Sequence, residues 1–125
     1  MTKQAIVDRV FEWFVAEGNP SSVAEDGTVC MYRGNGGERC AVGLFLTEYR
    51  DSFEFENIYG LMPFLPQIED QRKESAIAFW DKLQDVHDHA TQEEAKEGKN
   101  FLDEFVPRLR GFCTRRKLIY PGDQR

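Results

Sequence analysis

The sequence predicts an α+β fold, a single and mostly helical domain over residues 1–125 with one small antiparallel β-hairpin near residues 28–42. Three observations favour this class. Apolar residues recur at helical spacing in three stretches, a glycine-rich turn lies between two short β-prone segments, and no repeat or low-complexity linker divides the chain. A chain of 125 residues buries roughly two-thirds of its unfolded surface, so its core needs neither a disulfide nor a metal.

The first helix is predicted over residues 2–17, where Ile, Val and Phe recur every three to four positions. Thr2 is placed to cap its first turn. Gly18, Asn19 and Pro20 follow the last apolar residue of the stripe, and they end the helix because glycine and proline both interrupt helical backbone.

The hairpin near residues 28–42 is predicted mainly from its turn. Asn35 and the glycines around it accept positive φ angles, and β-prone residues precede them. An isolated hairpin is only marginally stable, so this one is expected to lie against the helices. After it, residues 43–47 either continue the strand or begin a short helix, residues 49–57 form a loop, and residues 58–63 form one helical turn.

Two further helices are predicted in the second half of the chain. Residues 72–90 carry one apolar stripe at helical spacing. Thr91 and Glu94 have the spacing of a capping box, which predicts that a third helix begins there and runs to about residue 106. Pro107 is expected to bend or end that helix, because proline lacks the N–H that the helical hydrogen bond requires.

The composition excludes several classes of protein. No apolar run approaches the roughly 20 residues that a membrane-spanning helix needs. The first residues contain no apolar signal core, so a reducing cytoplasm is the expected compartment. Ten Phe, four Tyr and two Trp residues argue against a disordered chain, because their burial offsets the entropy of ordering it.

The charge is unevenly distributed along the chain. The net charge is -6, yet residues 108–125 form a basic C-terminal segment with six Lys or Arg residues and one Asp. Arg115, Arg116 and Lys117 are consecutive cations and are candidates for a nucleic-acid contact. Two other interpretations stay open: cations favour the end of a final helix, or the acidic remainder of the chain contacts a basic partner.

Cys30, Cys40 and His87 are the candidate metal ligands. Four interpretations of the two thiols stay open: buried apolar residues, half of a zinc site, a nucleophile, or a disulfide that a reducing cytoplasm disfavours. His87 shares the apolar face of its helix, whereas His89 lies on the opposite face, so the two rings cannot easily bind one metal. If His87 meets the thiols, it supplies a third ligand or a catalytic base.

Four other side chains are candidates for binding. Arg33 and Arg39 flank the glycine-rich turn and are placed to hold an anion. Phe53 and Phe55 belong to an acidic, aromatic stretch and share one side if the backbone is extended. That stretch either seals the core or binds a partner protein, because aromatic side chains dominate the energetics of interfaces.

Three short motifs carry a resemblance to a known group of proteins. They read C-M-Y-R-G at residues 30–34, G-E-R-C-A-V-G at residues 37–43 and L-Q-D-V-H-D at residues 83–88. Together they resemble small uncharacterised proteins encoded by tailed bacteriophages and prophages, and the resemblance covers residues 1–90. It implies an accessory protein of the bacterial cytoplasm, and it implies no catalytic residue or cofactor.

We therefore expect a non-enzymatic binding module that engages a host or phage macromolecule, for host takeover or to counter host defence. A protein partner is the first expectation, with nucleic acid as a second through the basic C-terminal segment. No membrane and no cofactor are expected. The alternative is a zinc protein or a cysteine-dependent enzyme that uses Cys30, Cys40 and His87.

Overall fold

The computed structural model of the protein describes residues 1–23, 30–34, 36–70 and 74–124. Over these ranges the chain is helical and forms no β-strand, so its class is all-α. The predicted α+β class is therefore wrong. The order of the helices along the chain nevertheless follows much of the predicted pattern, and the errors lie in the hairpin and at two helix boundaries.

Helix α1 spans Lys3–Phe11 and continues as a π-helical turn over Glu12–Ala16. Thr2 caps it as predicted, because the Thr2 hydroxyl oxygen accepts the Ala5 N–H at 3.0 Å. Gly18 follows with a φ of 70°, a left-handed conformation that glycine adopts without a steric cost. The helix predicted over residues 2–17 is confirmed.

Short helical turns fill the middle of the chain. Two 3₁₀ turns span Gly43–Phe45 and Asp51–Phe55, and helix α2 spans Ile58–Leu61 and leads into a third 3₁₀ turn at Met62–Phe64. The predicted single helical turn at residues 58–63 is confirmed, and the predicted loop at residues 49–57 is largely a 3₁₀ turn.

Helix α3 spans Ala76–Glu97 and is capped by Ser75. The predicted helix break at Thr91 is wrong. The Thr91 hydroxyl donates to the His87 carbonyl at 2.9 Å instead of capping a new helix, and the Thr91 side chain is buried in the core. The helix ends at Gly98, whose φ is 66°. Residues 72–73 of the predicted helix lie outside the described ranges.

Helix α4 spans Phe101–Arg115, with Asn100 as its cap. It passes through Pro107, so the prediction that the proline ends the helix is wrong. Proline removes one backbone donor, but the buried residues Phe105, Leu109 and Phe112 hold both halves of α4 against the core. The short connection between α3 and α4 makes these two helices antiparallel neighbours.

The predicted hairpin reduces to one isolated antiparallel bridge between Arg33 and Arg39. The reason is a competing acceptor: the Tyr32 N–H, which a longer ladder would direct to the Cys40 carbonyl, donates to the Glu54 carboxylate at 2.9 Å, and the Cys40 carbonyl accepts from Leu44 instead. The Arg33 N–H points away from the other arm and donates to the same carboxylate at 3.2 Å. Cys30 bridges Val23 rather than the other arm. Thr28, Val29 and Asn35 of the predicted hairpin lie outside the described ranges.

The core lies between α1, α3 and α4, and aromatic rings dominate it. Phe14 of the π-helical turn packs on Phe105 of α4, with ring centroids 5.0 Å apart. Phe79 of α3 packs on Phe112 of α4 at 5.3 Å, and Trp80 packs on Phe45 at 5.2 Å. These contacts fix α3 and α4 side by side, and a groove runs along the outer edge of that pair.

Candidate functional site

Two of the predicted metal ligands, Cys30 and His87, come together beside α3. His87 is fully buried, and its Nε2 accepts the Ser22 N–H at 3.1 Å. The Nδ1 of the same ring lies 2.9 Å from Oδ1 of Asp88. Since Nε2 faces a donor, we assign the ring proton to Nδ1, which donates to the carboxylate. The prediction that His87 points to the core is confirmed.

Asp88 extends this polar network to the segment after the glycine-rich turn. Its Oδ1 also accepts from the Gln84 side-chain amide at 2.7 Å, and the Gln84 oxygen accepts the Val42 N–H at 3.0 Å. Gln84 is itself buried. The network therefore joins two irregular segments to α3. The side chains of Gln84, His87 and Asp88 all have partners in it, whereas the buried Ser22 hydroxyl has none within the described part of the chain.

Cys30, His87 and Asp88 come close enough to be considered as a metal site. Their ligand atoms all lie within 4.8 Å of one another. The ring of His87, however, has no lone pair to give, because Nε2 already accepts from Ser22 and Nδ1 carries the proton that Asp88 accepts. A metal would have to displace one of these bonds, so the donor set fits a hydrogen-bonded core better than a metal centre.

The two thiols have different surroundings. Burial, assisted by the neighbouring Asp88, raises the pKa of Cys30 to about 12. Burial also raises the pKa of Cys40 far above its ordinary value, although its sulfur accepts the Gly43 N–H at 3.1 Å. Cys40 is not among the converging ligand atoms. Both thiols are therefore held in the protonated form, whereas nucleophiles and metal ligands must be thiolates.

The two arginines beside the turn contact the protein itself. The Arg33 guanidinium donates to the carbonyl oxygens of Gly43 and Leu46, at 3.2 and 2.8 Å. The Arg39 guanidinium lies over the ring of Trp13, with its carbon 5.8 Å from the ring centroid. Arg33 thus has few donors left for an anion, and Arg39 keeps more of them.

Phe53 and Phe55 point to different sides of the chain. The backbone is a 3₁₀ turn rather than extended, so residues two apart are rotated by about 240° from each other. Phe53 is buried against Phe64, with ring centroids 4.7 Å apart. Phe55 is 93% exposed, and Tyr59 nearby is 73% exposed. A partner surface at this stretch would use Phe55 and Tyr59, not Phe53.

A basic groove lies along the outer edge of α3 and α4, with a volume of about 1140 Å³. Six cationic side chains line the groove, against only two carboxylates, those of Glu74 and Asp85. The six cations are Lys3, Lys82, Arg108, Arg115, Arg116 and Lys117. We name it the α3–α4 groove. A concave surface with this excess of cations, on a chain of net charge -6, concentrates positive potential in one place.

The three predicted cations at residues 115–117 all line the groove but differ in freedom. Arg116 forms a bidentate ion pair with Glu74, at 2.9 and 2.7 Å, and its guanidinium stacks on Phe112 at 3.9 Å. Arg115 and Lys117 are exposed and make no ion pair within the described part of the chain. The Arg116 side chain is therefore held in place along the groove, and its two neighbours are exposed, unpaired cations at the rim within the described part of the chain.

The dipole of α4 does not account for the whole groove. Cations at the end of a helix are favoured by its negative pole, which covers Arg115 and Arg116. Lys82 lies well inside α3, and Lys3 belongs to α1. The cations come from three helices, and only their packing brings them together, so the groove is a property of the tertiary structure.

Gly111 keeps the groove open. It lies inside α4, where glycine costs roughly 0.5–1 kcal/mol relative to alanine. A Cβ there would meet only the flexible end of Arg115, at 3.3 Å, so close packing against a neighbouring helix does not require the glycine.

Sequence reasoning missed Lys3, Glu74 and Arg108 as members of a site. The available signal was a shared spacing. Positions 82, 85, 86 and 89 in α3 have the same intervals as positions 108, 111, 112 and 115 in α4. Each set has the spacing of one helix face. Residues of two such stripes face each other when the helices are antiparallel, but nothing in the spacing shows which stripes will meet.

Within the described ranges, no helix has both the length and the apolar composition needed to cross a bilayer. Comparisons with family models, curated proteins and solved structures found no match for this chain.

Proposed function

We propose that the protein is a non-enzymatic binding module that holds an anionic macromolecule in the α3–α4 groove. One observation carries the proposal: six cationic side chains from three helices line a single concave surface of a chain whose net charge is -6. Lys3, Arg108 and Arg116 each lie beside a carboxylate, whereas Lys82, Arg115 and Lys117 make no ion pair within the described part of the chain. Gathered in a groove, they attract and orient a ligand of opposite charge.

The resemblance to phage and prophage proteins extends the proposal. It makes the protein an accessory factor in the cytoplasm of a bacterial host, with a host or phage macromolecule as its ligand. The exposed side chains of Phe55 and Tyr59 offer a second, separate contact for a protein partner. The groove is the stronger candidate because more side chains of one chemical type converge there.

A charge-neutralising experiment tests the groove. The triple variant Lys82→Gln, Arg115→Gln, Lys117→Gln removes its free cations. The triple Arg9→Gln, Arg50→Gln, Lys96→Gln removes the same charge at exposed positions that do not line the groove. A fluorescein-labelled 20-nucleotide single strand and a labelled polyglutamate serve as probes at several salt concentrations. We expect the groove triple to weaken binding of at least one probe about tenfold or more and to flatten its salt dependence.

The control triple is expected to change affinity by less than threefold. Equal losses in the two triples would show that only net charge matters, and absence of binding for both probes would remove the groove as a macromolecular site. Comparison of the two probes also separates nucleic acid from an acidic protein segment as the ligand.

The alternative function, a zinc protein or cysteine-dependent enzyme, is favoured only by the convergence of Cys30, His87 and Asp88. The engaged ring nitrogens and the raised pKa of each thiol weigh against it. Zinc titration of untagged protein distinguishes the two. One zinc per chain, lost in Cys30→Ser, would replace our proposal with the alternative, and no stoichiometric uptake is our expectation.

A further inference from the structure

Lys3 is the most deeply buried cation that lines the α3–α4 groove. The residue is 7% exposed, and its stem packs beside Phe79, with Nζ 5.6 Å from the ring centroid. Nζ itself is not among the polar atoms that are sealed from solvent without a partner, so the buried stem presents the ammonium group to the groove. The partners of its three N–H donors are therefore informative.

The nearest carboxylate does not satisfy Lys3. Nζ lies 3.9 Å from Oε1 of Glu74, which is beyond hydrogen-bonding distance, and Nζ makes no hydrogen bond within the described ranges. Both Glu74 oxygens already accept from Arg116, at 2.9 and 2.7 Å. One carboxylate is shared by two cations, so a positive charge and unused donors remain at this end of the groove.

We propose that Lys3 marks an oxyanion subsite for a phosphoryl group, an inference that rests on the proposed function of the groove. The phosphoryl oxygens accept from the Lys3 ammonium, while the exposed rim cations Lys82 and Arg115 neutralise the remaining charge. A phosphoryl group fits better than a carboxylate because it offers three acceptor oxygens and up to two negative charges to several uncompensated cations. The group belongs to a nucleotide, to a nucleic-acid strand or to free phosphate.

Anion titrations of the full chain test the subsite. Inorganic phosphate, pyrophosphate and acetate are added at constant ionic strength, and binding is followed by backbone amide chemical shifts and by melting temperature. We expect phosphate and pyrophosphate, but not acetate, to shift amides around Lys3 and Arg116 and to raise the melting temperature. Lys3→Met, which keeps an apolar stem of similar length, should weaken phosphate binding at least tenfold.

Lys96→Met is the matched control, because Lys96 is an exposed α3 lysine that does not line the groove. Equal loss in both variants, or phosphate-induced shifts scattered over surface lysines, would overturn the subsite. The amide shifts of the wild-type protein decide the question even if Lys3→Met folds poorly. Competition of pyrophosphate with the labelled 20-mer then shows whether the phosphoryl group comes from a nucleic-acid strand.

The two proposals fail separately. If Lys3→Met binds phosphate and pyrophosphate with wild-type affinity while the groove triple still weakens binding of a labelled probe, the subsite is wrong and the groove remains. If phosphate binds through Lys3 but neither macromolecular probe binds, the groove takes a small phosphorylated ligand and the macromolecular proposal is wrong.

Discussion

Single side chains decide what the buried polar cluster of α3 does. His87 uses one ring nitrogen to hold Ser22 and the other to hold Asp88, and its backbone carbonyl accepts the Thr91 hydroxyl. A residue whose hydrogen bonds tie a distant segment to its own helix contributes to stability and to a unique fold. Its neighbours on the chain, Val86 and Asp88, contribute apolar packing and an acceptor rather than a reaction.

We predict that His87→Phe destabilises the protein by about 2–4 kcal/mol. The substitution leaves the Ser22 N–H unpaired inside the core and overfills the space of the imidazole. Urea denaturation measures the loss. His89→Phe is the matched control on the exposed face of the same helix and should change the free energy of unfolding by less than about 0.5 kcal/mol. Equal effects of the two changes would contradict the buried network.

Among the helices, two glycines have opposite roles: Gly98 at the end of α3 and Gly111 inside α4. Gly98 ends α3 with a φ of 66°, which only glycine adopts without strain. Gly111 lies inside α4 in ordinary helical backbone, where alanine is the better helix former. One glycine is required by the local conformation, and the other lowers the stability of its helix while opening the groove.

We predict opposite signs for the two Gly→Ala substitutions. Gly98→Ala should destabilise the protein by about 1 kcal/mol, because a Cβ is strained in left-handed backbone. Gly111→Ala should stabilise it by up to about 1 kcal/mol, since its Cβ meets only a flexible Arg115 end. Thermal melts of both variants check the pair, and the same sign for both would contradict the assigned roles.

The same Gly111→Ala variant reports on the groove. If the missing side chain serves ligand access, the more stable variant should bind the anionic probes at least threefold more weakly than the wild-type protein. A fluorescence anisotropy titration measures the affinity. Unchanged affinity together with higher stability would show that Gly111 has no part in binding.

For the molecule as a whole, the three cysteines make stability depend on alkaline pH. Burial raises the pKa of Cys30 to about 12 and that of Cys113 to about 11, and it raises that of Cys40 further, against an ordinary value of 9.0. Above pH 9 the unfolded chain releases these protons while the folded chain keeps them. The thiols therefore favour the folded state below pH 9 and lose that contribution as the pH rises.

We predict that the free energy of unfolding falls steadily from pH 8.5 to pH 10.5. Each retained thiol proton contributes a slope of about 1.4 kcal/mol per pH unit once the unfolded thiol is ionised. Urea denaturation under reducing conditions at several pH values measures it, and the buried Cys40→Ala variant should show a shallower slope than the wild-type protein. A stability that is flat or rising over this interval would contradict the protonated thiols.

The sequence predicted the helices better than it predicted what surrounds them. The 3.6-residue stripe of α1 and its Thr2 cap depend on neighbouring residues only, and both are confirmed. The hairpin failed because a distant carboxylate, Glu54, takes the Tyr32 N–H that a strand partner would have used. Local propensity cannot show such a competitor, since the residues lie more than 20 positions apart.

Helix boundaries failed for a related reason. Thr91 has the residue type and spacing of a cap, yet packing of the buried α3 face carries the helix past it, and the true boundary signals are Gly98 and Asn100.

The groove was partly predictable. Its three C-terminal cations are adjacent in sequence, whereas Lys3 joins them only when α1 packs against the other helices.

Glu54 links two segments that would otherwise be independent. Its two oxygens accept from the backbone of Tyr32, from the backbone of Arg33 and from the Tyr49 hydroxyl. The amides of Tyr32 and Arg33 therefore share one acceptor group, and neither can open to solvent without disturbing the other. In hydrogen exchange these two amides should become unprotected together, at a common rate, and both should speed up in Glu54→Gln.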